Sequence, residues 1–407
     1  MRAPLLLLLI GSLLGLSACS PVSTAQVPAT TEPAQIATTL PEATPSPTLP
    51  PPGGGEYWVA SALRATDGSP SLVFITRPLI DAVPEIIFEA DPGVFLRSLR
   101  WSPDGQYLLF TDYGENFTHT FYLYDRISRQ LQTFDLQAMI GTPGWIRQIA
   151  WSPDPQSGQL AFSLCASLMQ ECAHWLVNIF QGQATPLNIQ DAPWFWEPGG
   201  KSMIFVGWNE ITRLELAGMT TEKLTSPTQS VLFGEGAMLR VAGFFPNLGG
   251  FLTTQVSMDG AQSYLLISED ASQESLLFQT EQGWAGELCT QPLLSPDGKQ
   301  IGLNFSLPEY TNASVIGGMD QLPLEAPTTP NGNLVLLWSP DSSVYVTRIA
   351  VTETGPFSLG FYDAQTGSLL RTYQPPAPFD LDMVADSSSV GMLQLSSYSY
   401  FDSVWIP

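Results

Sequence analysis

The sequence predicts an all-β protein: a seven-bladed β-propeller of four-stranded antiparallel blades filling residues 56–407. Three observations carry that prediction. One proline-containing turn motif recurs at blade spacing, each copy is flanked by short apolar runs, and no long stretch shows the apolar period of a helix.

The clearest copy is Trp101-Ser102-Pro103-Asp104-Gly105, followed by the apolar run Tyr107 to Phe110. A second begins at Trp151-Ser152-Pro153-Asp154 and leads to Leu160-Ala161-Phe162; a third, Trp196-Glu197-Pro198-Gly199-Gly200, leads to Met203-Ile204-Phe205. Further copies start at Phe245-Pro246-Asn247, Leu294-Ser295-Pro296-Asp297-Gly298 and Trp338-Ser339-Pro340-Asp341, with a degenerate one at Val384 to Ser387. Successive anchors are 50, 45, 49, 49, 44 and 46 residues apart, the period of a propeller blade. Apolar residues before each anchor, such as Leu99 and Ile149, read as an inner strand. Proline pre-sets φ in the turn, aspartate tolerates the next position, and glycine lets the chain reverse. The run after the turn is the second strand, and the large anchor side chain is placed to pack between blades. Third strands follow at 121–124, 175–179, 211–216, 264–267 and 359–362. Polar turns then lead to a fourth strand, most clearly Asp363-Ala364-Gln365-Thr366-Gly367 before Leu369-Leu370.

Residues 57–61, 72–76 and 85–89 read as three strands lacking an inner partner, and the C-terminal region offers one near 380–385 and more, ending at 404–407. Sharing one blade between the two ends removes exposed edges and gives seven blades. Two partial blades side by side would give eight. The copies resemble the TolB-like propeller repeat, a WD-like family with a W-S-P-D-G signature; those at 101, 151, 294 and 338 match best.

Ahead of the propeller, Arg2 and the apolar stretch Leu5 to Leu16 have the form of a signal peptide, residues 1–18. Leu16-Ser17-Ala18-Cys19 resembles the lipobox of bacterial lipoproteins. That resemblance implies cleavage after Ala18 and lipid attachment at Cys19, with acyl chains such as palmitate holding the protein durably on a membrane outside the cytoplasm. Residues 19–55, rich in Pro, Thr and Ala and closing on Gly53-Gly54-Gly55, have no apolar period and read as a disordered tether. At about 3.1 Å per residue such a chain reaches roughly 100 Å, enough to lift the domain clear of the surface.

Only 13% of residues are charged and the net charge is −23. A surface this acidic repels phosphate backbones and anionic lipid headgroups, so nucleic acid is not an expected partner. Cys165 and Cys172 flank a hairpin and are candidates for a disulfide in an oxidising compartment; Cys289 reads as a small buried hydrophobe. The two histidines, His119 and His174, each precede a third strand and are expected in a loop or at a strand edge. No Cys-x-x-Cys pair, histidine cluster or Gly-x-Ser-x-Gly elbow occurs, and neither a metal nor a cofactor is expected. Asp112 to Asn116 lacks the ligand spacing of a calcium loop. Arg97 and Arg147 each lie four residues before a Trp anchor, and Phe95 and Trp145 six before. Those positions fall where inner strands begin, near the channel mouth, and form a candidate binding face. The sequence therefore predicts a monomeric, non-catalytic binding or scaffold module for another envelope protein or a surface glycan. The alternative is an extracytoplasmic glycan lyase or hydrolase using carboxylates such as Asp380 and Asp382; a third reading is a structural or sensory ectodomain.

Overall fold

In a computed structural model, most of residues 58–381 are described, together with 404–406; the segments left out include 66–69, 114–119, 167–170, 225–239, 281–286, 325–333 and 351–356. Among the described residues the chain forms 29 strands and one five-residue helix.

The first blade holds β1 (Trp58–Ala65), β2 (Leu72–Thr76) and β3 (Glu85–Glu89). The second holds β4 (Phe95–Trp101), β5 (Tyr107–Tyr113), β6 (Thr120–Asp125) and β7 (Gln130–Asp135), and a helix, α1 (Leu136–Ile140), leads into the third. The third comprises β8 (Trp145–Trp151), β9 (Gln159–Cys165), β10 (Cys172–Asn178) and β11 (Gln183–Leu187); the fourth comprises β12 (Trp194–Trp196), β13 (Ser202–Val206), β14 (Ile211–Glu215) and β15 (Thr220–Leu224). The fifth is built from β16 (Arg240–Phe245), β17 (Gly250–Val256), β18 (Gln262–Ser268) and β19 (Glu274–Gln279). In the sixth, two short strands, β20 (Glu287–Leu288) and β21 (Leu293–Leu294), share the inner position beside β22 (Gln300–Ser306), which pairs β23 (Asn312–Gly318). The seventh holds β24 (Leu334–Trp338), β25 (Val344–Ala350), β26 (Phe357–Asp363) and β27 (Leu369–Tyr373). Finally β28 (Phe379–Leu381) and β29 (Val404–Ile406) return to the first blade.

All pairings are antiparallel, and the seven sheets are seven blades of a propeller. The shared blade closes the ring twice over. β29 pairs with the start of β1 (Trp58↔Ile406) and β28 with its end (Leu63↔Leu381), so both flank the first described strand.

The apolar residues of the strands, buried almost without a break along β2, β9 and β13, pack between blades rather than in one central core. Val59 and Phe74 of the first blade pack with Val346 and Phe361 of the seventh; Val73 and Ile75 meet Leu108 and Phe110 of the second. Leu109 and Phe121 meet Phe162 and Val177 of the third, and Ala161 meets Trp194 and Phe205 of the fourth. Ile204 then meets Phe244 and Phe251 of the fifth, whose Tyr264 and Phe278 meet Phe305 and Ile301 of the sixth. Burial of this kind contributes about 1.5–3 kcal/mol per large side chain, and each blade depends on both neighbours for it.

One expectation needs correcting. His174 is neither in a loop nor at an edge: the third strand of its blade starts earlier than 175, at Cys172, and His174 sits within it, 1% exposed. The element α1 has no helical period long enough to be read in sequence; it is a single turn whose Ala138 amide donates to the Asp135 carboxylate at 3.0 Å. His119, Cys289, Asp382 and residues 1–57, including Cys19, lie outside the described residues.

Candidate functional site

The repeat motif shows how a local turn becomes a ring. In the copy at 102 the Ser102 amide donates to the Tyr107 carbonyl at 2.8 Å and the Gly105 amide to the Ser102 carbonyl at 2.8 Å. The Ser102 hydroxyl donates to Asp104 Oδ1 at 2.6 Å and accepts from the Tyr107 amide at 2.9 Å. Asp104 Oδ1 also accepts the Gln106 amide at 3.0 Å. The same set recurs at Ser295/Asp297/Gln300 and Ser339/Asp341/Val344. Gly105 and Gly298 take left-handed φ of 68° and 71° there, and Ser342 takes 61° at the matching place. Pro103, Pro153, Pro296 and Pro340 sit at the exposed or half-exposed tips, while each serine is buried.

The anchors tie blade to blade. Trp151 Nε1 donates to the Arg100 carbonyl at 3.0 Å, Trp196 Nε1 to the Ala150 carbonyl at 3.4 Å, and Trp338 Nε1 to the Leu293 carbonyl at 2.9 Å. Each acceptor immediately precedes the anchor one blade back: Trp101, Trp151 and Leu294. Beside this ring, Arg213 grips Glu197 with two hydrogen bonds of 2.9 and 3.0 Å and reaches Glu222 at 3.2 Å and Glu269 of the next blade. Burial works against the Glu197 carboxylate, but hydrogen bonds from Arg213 and Ser202 outweigh it and hold Glu197 below its ordinary value.

At the opposite end, where the inner strands begin, the candidate binding residues can be placed by register. The anchors Trp101 and Trp151 pair with Leu108 and Leu160. Phe95 pairs with Tyr113 and Trp145 with Cys165, each five residues beyond the anchor's partner, so the two aromatic residues occupy one level on adjacent blades. The arginines do not match in this way. Arg97 pairs with Thr111, the level that Gln148 takes opposite Ser163, whereas Arg147 is the extra residue of a β-bulge between Ile146 and Gln148. The side chains of Phe95 and Arg97 lie outside the described residues. Trp145 is 8% exposed and packs on Cys165 and Cys172, and its Nε1 is buried with no partner among the described residues. Arg147 is half-buried. Cys165 and Cys172 are directly opposed on β9 and β10, 4.1 Å apart at Cα, and joined by a disulfide.

Several polar side chains near this end join neighbouring blades, and sequence reasoning missed them. Ser163 Oγ accepts from Trp194 Nε1 at 2.7 Å and lies 2.9 Å from His174 Nδ1, whose other ring nitrogen accepts the Ala192 amide at 3.4 Å. In the sixth blade Asn304 takes the same level; it donates to the Val335 carbonyl at 2.7 Å and accepts the Val335 amide at 2.9 Å. The available signal was one polar residue inside an otherwise apolar second strand, as in Ala161-Phe162-Ser163-Leu164 and Leu303-Asn304-Phe305. Asp112, also at this end, accepts the Thr120 amide at 2.6 Å and the Tyr122 hydroxyl at 3.1 Å; burial and this carboxylate push the Tyr122 hydroxyl up to about 12. Among the described residues no group of three or more His, Cys, Asp or Glu is placed to hold a metal ion.

This architecture defines the class: the protein is a seven-bladed β-propeller. No protein-family model matches the sequence, and no curated protein does. Among solved structures, the chain is similar to a prolyl endopeptidase, 12% identical with a TM-score of 0.52, over 80% of this chain and 51% of that one. It is also similar to TolB from Acinetobacter baumannii, 17% identical with a TM-score of 0.42, over 66% of this chain and 63% of that one. Sqt1 from Saccharomyces cerevisiae is 10% identical with a TM-score of 0.48, over 78% and 82% of the two chains. The chain thus spans about half of the peptidase and under two thirds of that TolB, and at these identities the likeness is one of fold.

Proposed function

We propose that this protein is a TolB-like propeller displayed outside the cytoplasm on a tether lipidated at Cys19, and that it binds another envelope protein, or a surface glycan, at the channel mouth without catalysing a reaction. One observation supports this reading: Phe95 and Trp145 pair at the same level on neighbouring inner strands, and Arg97 and the half-buried Arg147 belong to the same two strands, although Trp145 itself is packed on Cys165 and Cys172. Aromatic and arginine residues are the types that most often anchor protein interfaces. Of the polar side chains described nearby, Ser163, His174 and Asn304 join neighbouring blades and Asp112 ties two strands of its own blade, which supports a structural task for them. A propeller also offers a rigid rim on which loops present ligands.

The test is capture of membrane-extract proteins by the full chain against Phe95→Ala/Trp145→Ala and Arg97→Ala/Arg147→Ala variants. Loss of captured bands in both variants supports the site; undiminished capture by both removes it.

A further inference from the structure

The third and sixth blades are fastened to the blades that follow them through one pair of register positions, filled differently. Asn304 of β22 stands opposite Ser314 of β23, and Ser163 of β9 opposite His174 of β10; Asn304 and Ser163 each lie three residues past the strand partner of the turn anchor. Ser314 Oγ donates to Asn304 Oδ1 at 2.6 Å, and Asn304 holds both the amide and the carbonyl of Val335. Neither member of that pair changes charge with pH. The third-blade pair holds Trp194 and Ala192, at the entry to the fourth blade, and one of its members is an imidazole.

The hydrogen bonds fix the state of that ring. A backbone amide can only donate, so the Ala192 N–H, 3.4 Å from Nε2, requires a lone pair there. The single ring proton is then on Nδ1 and is donated to Ser163 Oγ at 2.9 Å. Ser163 Oγ also accepts from Trp194 Nε1 at 2.7 Å, so this oxygen accepts twice and His174 is not placed as its base. The ring is 1% exposed; Phe205 meets it edge-on with centroids 5.2 Å apart, and Leu187 is its register partner on β11. Neither carries a charge, nor do Ser163, Trp194 and Ala192. Of the carboxylates adjacent in sequence to these elements, Glu171 is exposed and Asp191 lies outside the described residues. A second proton on Nε2 would set two donors face to face and place a positive charge where water does not reach, so it favours a parted seam. Trp145 stands beside this seam. It pairs with Cys165, two residues beyond Ser163, and its buried Nε1 has no partner among the described residues to hold it.

We infer that His174 is an acid-operated clip: neutral, it closes the third blade on the fourth at the mouth end; protonated, it releases them and unseats Trp145. As a control on the binding face this rests on the channel-mouth reading above; as an opening of the seam it does not. A ring kept neutral by its site supports the closed seam fully above the free imidazole value of about 6.5 and loses that support as the pH falls below it.

The chain has two histidines, so His119→Gln leaves His174 as the sole imidazole, and its titration can be followed by NMR in the full-length protein. It is expected below the free value of about 6.5. Amide exchange, corrected for the intrinsic effect of pH, is expected to quicken about tenfold in segments 145–149, 161–165 and 172–176 between about pH 7 and pH 5. Segments 302–305 and 335–338, at the seam without an imidazole, are expected to keep their protection, and His174→Gln to lose the acceleration. A titration at or above the free value, equal acceleration of the two seams, or acceleration that persists in His174→Gln overturns the clip. Should His174→Gln not fold, the titration and the comparison of seams decide alone. Proteins captured from membrane extract at neutral pH are expected to leave the wild type in acid. An opened seam with undiminished capture supports the clip and counts against the mouth as the binding face.

Discussion

Two serine hydroxyls in one turn put the energetic weight of the repeat to a test. Ser339 and Ser343 both donate to Asp341 Oδ1 at 2.7 Å, yet Ser339 is fully buried and Ser343 is exposed. Ser339 Oγ also accepts the Val344 amide at 2.8 Å, and Val344 is itself only 4% exposed. Ser339→Ala therefore removes an acceptor from a buried N–H that water cannot reach. An unsatisfied buried donor costs about 1–3 kcal/mol, so a loss of about 2 kcal/mol is expected. Ser343→Ala exchanges its hydrogen bond for one to water and should cost under about 0.5 kcal/mol. With an unfolding entropy of about 2.1 cal/mol/K per residue over some 350 residues, 2 kcal/mol lowers Tm by about 3 °C. Calorimetry and urea midpoints of the two variants measure the difference directly. Equal losses, or a larger one for Ser343→Ala, would refute the claim that burial decides the value of this hydrogen bond.

Three further outcomes follow from the same structure. Met219 has φ 49° at the turn position where Gly182 and Gly367 stand in other blades, so Met219→Gly should stabilise by about 0.5–1 kcal/mol, read as a raised Tm. Glu197 titrates below its ordinary value of about 4.5, so its stabilisation is complete above that pH and is lost as the pH falls through the lower folded value; the Tm gap between wild type and Glu197→Gln should narrow over that window. Removing the disulfide with Cys165→Ala/Cys172→Ala, which opens a loop of six residues, should cost about 2 kcal/mol by urea titration, and reductant should then leave the variant's midpoint unchanged.

What was legible in the sequence was mostly local chemistry. Proline, aspartate and glycine announce a reverse turn wherever they stand together, and their recurrence at 101, 151, 294 and 338 gave blade period, strand order and the shared closing blade. The serine beside them recurs just as regularly, but its importance depends on burial, which appears only when strands pair. Register was less accessible. Arg97 and Arg147 are equally spaced from their anchors in the chain, yet a bulge at Arg147 shifts one against the other, because pairing with β9 is set by distant contacts. His174 was misread for a similar reason: a polar residue in a short apolar run looks like an edge until the next blade supplies Trp194 and the Ala192 amide as neighbours.

The arrangement of the shared blade also governs the order of assembly. As the polypeptide emerges from its N-terminus, the second to seventh sheets can each complete from contiguous sequence, whereas β1 to β3, made first, must wait for residues 379–381 and 404–406. Until then one flank of β1 is an open template for any strand nearby. A product that stops before residue 379 would keep six finished sheets and still carry that open template, so quality control of this protein comes down to whether its last strands arrive.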